Sequence, residues 1–377
     1  MRKVAVVFGG RSCENEISIL TGVFVLNVLD REKYDPIPIY IHTDGGVYTS
    51  KKMTDLKVFK EKRYAEFERV FLDGGTVYAL NVGKRRIKPL AKLDCAINCC
   101  HGGLGEGGGV SSMMEWNGVP LASPELTPSG VFLDKCMTKT VMRGLGIPTL
   151  DFIRVNESDY EKRGAFLLKR IGTKLKYPVV IKPAHLGSSI GITVANDEEE
   201  AKRGIESAFQ LDHRLIIERY LKDKKDVNCA AYELRGEIFV SEPETAFGEG
   251  VYSFEEKYVK RDSDGISLKG ERQKERSRCS LSAELREKIR AYTRTVYKRM
   301  DLKGAVRMDF LVSEGRAYLC EVNTVPGSLA YYLFCERLSD ARTFFGDLIE
   351  EGIRSYEQRQ KKVISTGILG KINYMRK

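Results

Sequence analysis

Between Val306 and Asn323 the chain reads VRMDFLVSEGRAYLCEVN, which sets Arg307 with Asp309, and Glu321 with Asn323, at two-residue spacing. Apolar residues alternate with them on both sides of a turn at Ser313–Arg316, which predicts a hairpin of half-buried strands. Side chains two apart on a strand share a face. With a three-residue turn centred on Gly315, Asp309 faces Glu321 and Arg307 faces Asn323. Directly opposed Cβ atoms lie about 5 Å apart. Two carboxylates that close need a cation between them. Hard oxygen ligands of this kind suit Mg²⁺ that also takes oxygens from nucleotide phosphates. A hairpin of solvated charges satisfies the same pattern, and a two-residue turn would place Cys320 opposite Asp309 instead.

Lys182 ends the apolar run Tyr177–Ile181 and offers a point charge to a phosphate. The loop after it, with Gly187, Ser188, Ser189 and Gly191, supplies small side chains, free amides and two hydroxyls to close over phosphate oxygens. It is not a Walker loop, because no G-x-x-x-x-G-K-[ST] occurs. Lys257 and Tyr258 lie in the long polar stretch Gly248–Cys279, which fits either a lid over bound substrate or solvated surface. Glu14 follows the glycine turn of FGGRSCENEIS. It is placed to bind a substrate ammonium group, or to sit as a solvated carboxylate at a helix start.

These groups need strands and helices to carry them. Val4–Phe8 reads as a buried strand, Ile17–Asp30 as a helix, Pro36–Ile41 as a second strand, and Leu93–Asn98 as a third that runs into HGGLGEGGG, His101–Gly109. Strands alternating with helices, with glycines at strand ends, indicate an open parallel α/β domain over residues 1–130, with ligands at the carboxyl ends of the strands. Val77–Val82 and Arg85–Pro89 form a candidate hairpin. Beyond it come a helix at Leu133–Leu145, strands at Tyr177–Ile181 and Arg214–Glu218, a pairing of Asp226–Tyr232 with Glu237–Ser241, and an amphipathic helix at Ala283–Met300.

A chain of 377 residues exceeds what one core usually serves. No apolar run reaches the ~18 residues of a membrane span, and the apolar start is too brief for a signal peptide, so a cytoplasmic protein without a membrane role is expected. Nine cysteines, an odd number with no C-x-x-C pair, fit buried reduced thiols. Cys99, Cys100 and His101 are adjacent and not spaced to converge on a structural zinc. The net charge of +10 is scattered except at Lys269–Arg278 and the C-terminal tail. No RNA- or DNA-binding motif accompanies it, so nucleic acid is not the expected partner.

Taken in order, VFGGRSCENEIS, HGGLGEGGG, DKCMTK (Asp134–Lys139), YPVVIKPAHLGSSIG, IIERYL (Ile216–Leu221), EEKY (Glu255–Tyr258), RMDF and EVNTVPG resemble the D-alanine–D-alanine ligase family of the ATP-grasp superfamily, from about Lys3 to Ile353. The resemblance implies that a two-lobed ATP-grasp fold follows the first domain. Its central lobe would span residues 131–225. Its C-terminal lobe, residues 226–377, would carry a lid loop, the metal-binding hairpin and a tail. It implies ATP and two Mg²⁺ (or Mn²⁺) as cofactors, small amino-acid substrates, and a homodimer formed through the first domain.

The resemblance also implies roles. Lys139 and Lys182 would hold ATP phosphates, with Ser188 and Ser189 in the closing loop and Lys257 reaching in from the lid. Glu218 and Leu221 would meet adenine through backbone contacts. Asp226 would meet the ribose, at a spacing from Glu218 one residue longer than the family's. Asp309, Glu321 and Asn323 would bind the metals. Glu14 would hold the first amino acid's ammonium group and His101 would lie by its carboxylate. Glu14, Ser188 and Tyr258 would form a hydrogen-bonded set near the nucleophile, and Arg307 with the Gly327 amide would stabilise the oxyanion.

Three departures stand out. Tyr332 falls where the family's serine meets the second substrate's carboxylate. GEGGG replaces GEDG, and Lys269–Arg278 carries extra basic residues. The expected activity is therefore an ATP-dependent joining of two D-alanines through an acyl phosphate, for peptidoglycan precursors. A different acceptor such as D-serine, D-lactate or another amino acid stays open, as does a non-catalytic ATP-binding regulator.

Overall fold

The computed structural model describes residues 1–81, 83–245, 259–262, 265–268 and 281–368. The run Val4–Phe8 is wholly buried because its strand, β1 (Arg2–Gly9), is covered on both faces, Val4, Val6 and Phe8 in one core and Ala5 and Val7 in another. β1 runs parallel to β2 (Tyr34–Ile41) on one side and to β7 (Cys95–Asn98) on the other. Helix α1 (Asn15–Val28) makes the crossover from β1 to β2. The remaining strands are β3 (Val47–Thr49), β4 (Glu68–Asp73), β5 (Thr76–Asn81) and β6 (Arg86–Lys92). They extend the sheet antiparallel, in the order β6-β5-β4-β3-β2-β1-β7.

The expected open parallel sheet is therefore parallel only in the three strands at one end, β2-β1-β7. A parallel step needs a crossover of a dozen or more residues, whereas Gly74-Gly75 joins β4 to β5 directly. The expected hairpin near residues 77–89 is the β5–β6 pair. A one-turn helix, α2 (Lys57–Lys60), and α3 (Val110–Trp116) complete this region.

A second sheet has the order β10-β9-β11-β8, formed by β8 (Phe152–Asn156), β9 (Val179–Pro183), β10 (Thr193–Ala195) and β11 (Arg214–Arg219). Leu167, Leu168 and Ile171 of α6 (Glu157–Lys174), with Ala201, Ile205 and Ala208 of α7 (Glu198–Phe209), close one core against it. In sequence between the first two sheets come α4 (Leu126–Leu133) and α5 (Lys135–Gly144). The expected helix over Leu133–Leu145 begins at Lys135, because the Asp134 carboxylate accepts from the amides of Cys136 (2.8 Å) and Met137 (3.1 Å) and caps it.

The third sheet holds β12 (Lys225–Leu234), β13 (Glu237–Val240) and β14 (Glu244–Thr245), together with the hairpin strands β17 (Val306–Ser313) and β18 (Arg316–Asn323). In sequence before that hairpin come the paired strands β15 (Val259–Asp262) and β16 (Gly265–Leu268), and helix α8 (Ala283–Arg299). Leu285, Ile289, Val296 and Tyr297 of α8 pack under the third sheet. Helix α9 (Asp340–Arg359) returns to the first sheet, where Phe344, Phe345, Leu348 and Ile349 join the core of Val4, Val6 and Phe8. Among the described residues no helix is long and apolar enough to cross a membrane. Lys257, Tyr258 and the basic stretch Lys269–Arg278 lie outside the described residues.

Candidate active site

The hairpin reaches its expected pairing by an unexpected route. Its turn has two residues, Glu314 and Gly315, at φ 50° and 70°, the twist that a tight antiparallel connection requires. Ser313 pairs with Arg316 and Phe310 with Leu319. A bulge next to Asp309 then absorbs Cys320 as an extra residue, so that Asp309 faces Glu321 and Arg307 faces Asn323. The bulge restores the register that the short turn would have lost.

Both carboxylates are matched by protein cations. Arg307 grips Asp309 with two parallel bonds, from Nε to Oδ1 at 2.8 Å and from Nη2 to Oδ2 at 2.9 Å. Asn323 Nδ2 donates to the same Oδ2 at 3.0 Å. Lys135 Nζ lies 3.4 Å from Glu321 Oε1. Asp309, Glu321 and Asn323 thus offer only oxygen ligands from one face, and this donor set fits a hard divalent cation.

Facing the hairpin is a buried charge triplet. Glu218 on β11 is 1% exposed and takes Lys182 of β9 on Oε2 at 2.5 Å and Lys139 of α5 on Oε1. Lys182 Nζ also lies 3.8 Å from Cys320 Sγ, at the bulge. Burial alone would raise the Glu218 carboxyl, but the two ammonium groups outweigh it and bring it down to about 2. Burial opposes the charge of Lys182 as well, yet its acidic neighbours Cys320 and Glu218 hold it above the usual lysine range. The triplet carries a net positive charge at the mouth of the serine loop.

The loop itself is tied to the first domain. Ser188 and Ser189 adopt left-handed backbone, at φ 52° and 61°, and the Ser188 hydroxyl donates to Glu14. Glu14 is wedged between two glycines. A Cβ at Gly187 would come within 2.7 Å of its carboxylate, and one at Gly102 within 2.6 Å, so a side chain at either place would push the Glu14 carboxylate aside. Lys135 Nζ donates to the Leu186 carbonyl at 2.5 Å, joining this loop to the hairpin through Glu321.

Below Arg307 lies a neutral layer. His101 Nε2 is 2.8 Å from the Thr21 hydroxyl, which also accepts from the Ser328 amide at 3.2 Å. Burial, helped by the Arg307 charge, lowers His101 to about 4. Glu106 carried no role in the sequence reading, yet it joins two distant segments. Oε2 takes the Gly102 amide at 2.8 Å, and Oε1 takes the Val325 amide at 3.3 Å and the Thr324 hydroxyl at 3.4 Å. Burial raises Glu106 to about 7, and the Glu14 and Glu321 charges add to the effect. An acidic residue among loop glycines was the one available signal.

Tyr332 stands beside Arg307, whose Nη1 donates to its hydroxyl at 3.2 Å. The turn that delivers it begins at Gly327 and takes Ser328, Leu329 and Ala330 through left-handed backbone, at φ 48°, 53° and 54°. Each such non-glycine residue costs about 1–2 kcal/mol. Burial of Leu329 and Ala330 and the bond from Ser328 to Thr21 hold the turn.

Leu221 packs with Leu150 and Leu311 beside Cys320. Asp226 lies on β12 and pairs with Lys224 at 2.5 Å. Of the expected Glu14–Ser188–Tyr258 set, the first two meet and the third lies outside the described residues.

Comparison with known proteins gives the same frame. Family profiles described as D-ala D-ala ligase N-terminus and C-terminus match residues 3–124 and 141–354. A D-alanine–D-alanine ligase of Thermosipho africanus is 30% identical, over 97% of both chains. One of Caldicellulosiruptor bescii is 31% identical, over 96% of this chain and 97% of that one. The crystal structure of the Helicobacter pylori ligase superposes with a TM-score of 0.75 at 26% identity, covering 93% of this chain and 98% of that chain. Two profiles in the right order, relatives matched along almost their whole length, and a shared architecture leave one assignment: the chain belongs to the D-alanine–D-alanine ligase family.

Proposed function

We propose that the chain joins two D-alanine molecules in an ATP- and Mg²⁺-dependent reaction that serves peptidoglycan precursor synthesis. The observation that carries this reading is the opposition of a positive triplet, Lys139–Glu218–Lys182, to an acidic hairpin face, Asp309 and Glu321. A Bacillus anthracis ligase solved in complex with ATP shares the fold at a TM-score of 0.62, which is consistent with a nucleotide lying between these two surfaces.

In this reading Lys139 and Lys182 hold the phosphates, and Glu218 keeps the two ammonium groups side by side. The adenine lies against the Glu218–Leu221 backbone and the ribose near Asp226. Asp309, Glu321 and Asn323 hold Mg²⁺, which neutralises phosphate charge during transfer. Glu14 binds the ammonium of the first D-alanine, and neutral His101 lies by its carboxylate, which becomes the acyl phosphate. The amine of the second D-alanine then attacks, near Glu14, Ser188 and Tyr258.

Negative charge grows on the carbonyl oxygen. Asp309 fixes the plane of the Arg307 guanidinium, which with the Gly327 amide stabilises that oxygen by roughly 3 kcal/mol. Ser189 and Lys257 close over the nucleotide and exclude water from the acyl phosphate. The enzyme works in the cytoplasm as a homodimer.

A second reading keeps the chemistry and changes the acceptor. Tyr332, bonded to Arg307, fills space where a smaller side chain would leave room for the second substrate. Protein incubated with ATP, Mg²⁺ and D-alanine should release phosphate and form the dipeptide. A panel of D-serine, D-lactate and other amino acids ranks the alternatives. ATP binding without phosphate release for any of them overturns the ligase reading.

A further inference from the structure

Behind the serine loop, two histidines turn the same ring atom toward one carboxylate oxygen. His185 Nδ1 lies 2.9 Å from Asp212 Oδ1, and His213 Nδ1 lies 3.3 Å from it. The rings stack at 5.2 Å with an interplanar angle of 16°. The three donor atoms all lie within 4.8 Å of one another. We propose that His185, Asp212 and His213 form a binding site for a borderline-soft divalent cation of the zinc, nickel or cobalt class, separate from the hairpin carboxylates.

The donor set decides the class. Two imidazole nitrogens and one carboxylate oxygen suit Zn²⁺, Ni²⁺ or Co²⁺, whereas Mg²⁺ prefers oxygen throughout. Bonds of about 2.0–2.2 Å to such an ion place neighbouring ligand atoms roughly 2.9 Å apart in an octahedron and roughly 3.3 Å apart in a tetrahedron. The two His–Asp spacings, 2.9 and 3.3 Å, fall within the range between these values. The ion takes the place of the proton that His185 Nδ1 now shares with Asp212.

The surroundings match what a metal-bound histidine needs. His185 Nε2 lies 3.4 Å from Asp134 Oδ2, so a carboxylate orients the ring from its far side. Asp134 is itself held by Arg214 and by the amides of Cys136 and Met137. Asp212 Oδ2 takes the His185 amide at 2.8 Å, and Oδ1 also takes the Arg214 amide at 3.2 Å. The Asp212 side chain is buried, while that of His213 is 70% exposed, which gives the ion a way in from solvent with water completing its shell.

The position has a consequence. His185 lies two residues before Gly187, and Asp134 caps the helix that carries Lys139. An ion here ties the base of the serine loop to the start of β11.

Untagged protein in excess Mg²⁺ is titrated with Co²⁺ and followed by visible ligand-field absorption, with Zn²⁺ affinity measured against a chromophoric chelator. One equivalent should bind. His213→Ala, on an exposed ring, should weaken binding at least tenfold, and His185→Asn should do the same. His42→Ala, in a surface His–Asp pair with Asp44, should leave it unchanged. Equal affinity in wild type and His213→Ala overturns the proposal. So does binding that Mg²⁺ displaces or that Asp309→Ala abolishes, since the ion would then sit on the hairpin.

Discussion

The two charged surfaces of the cleft are built on opposite plans. In the Lys139–Glu218–Lys182 triplet the Glu218 and Lys139 side chains are 1% exposed and that of Lys182 is 11% exposed, and the charges answer one another. On the hairpin, Arg307–Asp309 and Lys135–Glu321 are only partly covered, and two carboxylates sit directly across from each other. Buried ions are stable only while paired, and losing one partner strands the rest. The Asp309 and Glu321 carboxylates keep 25% and 30% of their surface in solvent, and ions that reach solvent are screened more and exchange partners at lower cost. In the proposed reading the triplet carries stability as well as phosphate binding, whereas the solvent-reached carboxylates of the hairpin face take a metal beside their protein cations.

The sharpest break between the two is in turnover. Asp309→Ala and Glu321→Ala should each lower kcat by on the order of 10³-fold or more, while the urea midpoint changes by no more than the equivalent of about 1–2 kcal/mol. Phosphate-release assays beside denaturation curves test both halves, and near wild-type rates would remove the hairpin from the chemistry. Glu218→Gln should behave the other way. It leaves two buried ammonium groups without a counter-charge and should cost about 3–5 kcal/mol of stability. A midpoint within error of wild type would show that solvent reaches the triplet.

The same contrast governs what was legible beforehand. The hairpin announced itself because a two-residue alternation and a glycine turn are local signals. Even so, its turn is one residue shorter than expected, and the pairing of Asp309 with Glu321 survives only because Cys320 bulges out. Nothing local specifies that compensation. The helix at Lys135 and the pairing of β12 with β13 were readable for the same reason. The triplet was not, since Lys139 and Glu218 are 79 positions apart and their pairing depends on how α5 packs against the second sheet. Glu106 was missed on the same ground: its partners Thr324 and Val325 follow more than 200 residues later. The antiparallel extension of the first sheet comes from a stretch whose short connections exclude parallel crossovers.

Acid and neutral pH separate the two plans further. Glu218 falls from 4.5 to about 2 on folding, so its contribution is present above pH 4.5 and is lost as pH drops toward 2. Glu106 rises from 4.5 to about 7, so its contribution is full below pH 4.5 and is lost as pH climbs through 7. His101, lowered from 6.5 to about 4, contributes with the opposite slope in the overlapping window. Wild-type stability should therefore be nearly flat between pH 4.5 and 6.5. Glu106→Gln should expose the His101 slope, with stability rising with pH across that window. Urea midpoints at half-unit steps test this, and parallel curves for variant and wild type would show that Glu106 titrates normally.

The smallest expected effect concerns the proposed acceptor side of the cleft. Tyr332 lies at the edge of the hairpin face, bonded to Arg307 but remote in sequence from Lys139 and Lys182. In the proposed reading a change there alters the space for a second substrate and one hydrogen bond, and leaves the triplet, Asp309 and Glu321 in place. Tyr332→Ser should therefore move the ratio of kcat/KM between acceptors by about tenfold, the range that small changes in pocket volume produce. The apparent affinity for ATP should stay within twofold. If the acceptor ranking is unchanged while ATP affinity falls, the Tyr332 hydroxyl acts on Arg307 alone, and second-substrate selection must be sought among other residues around the cleft.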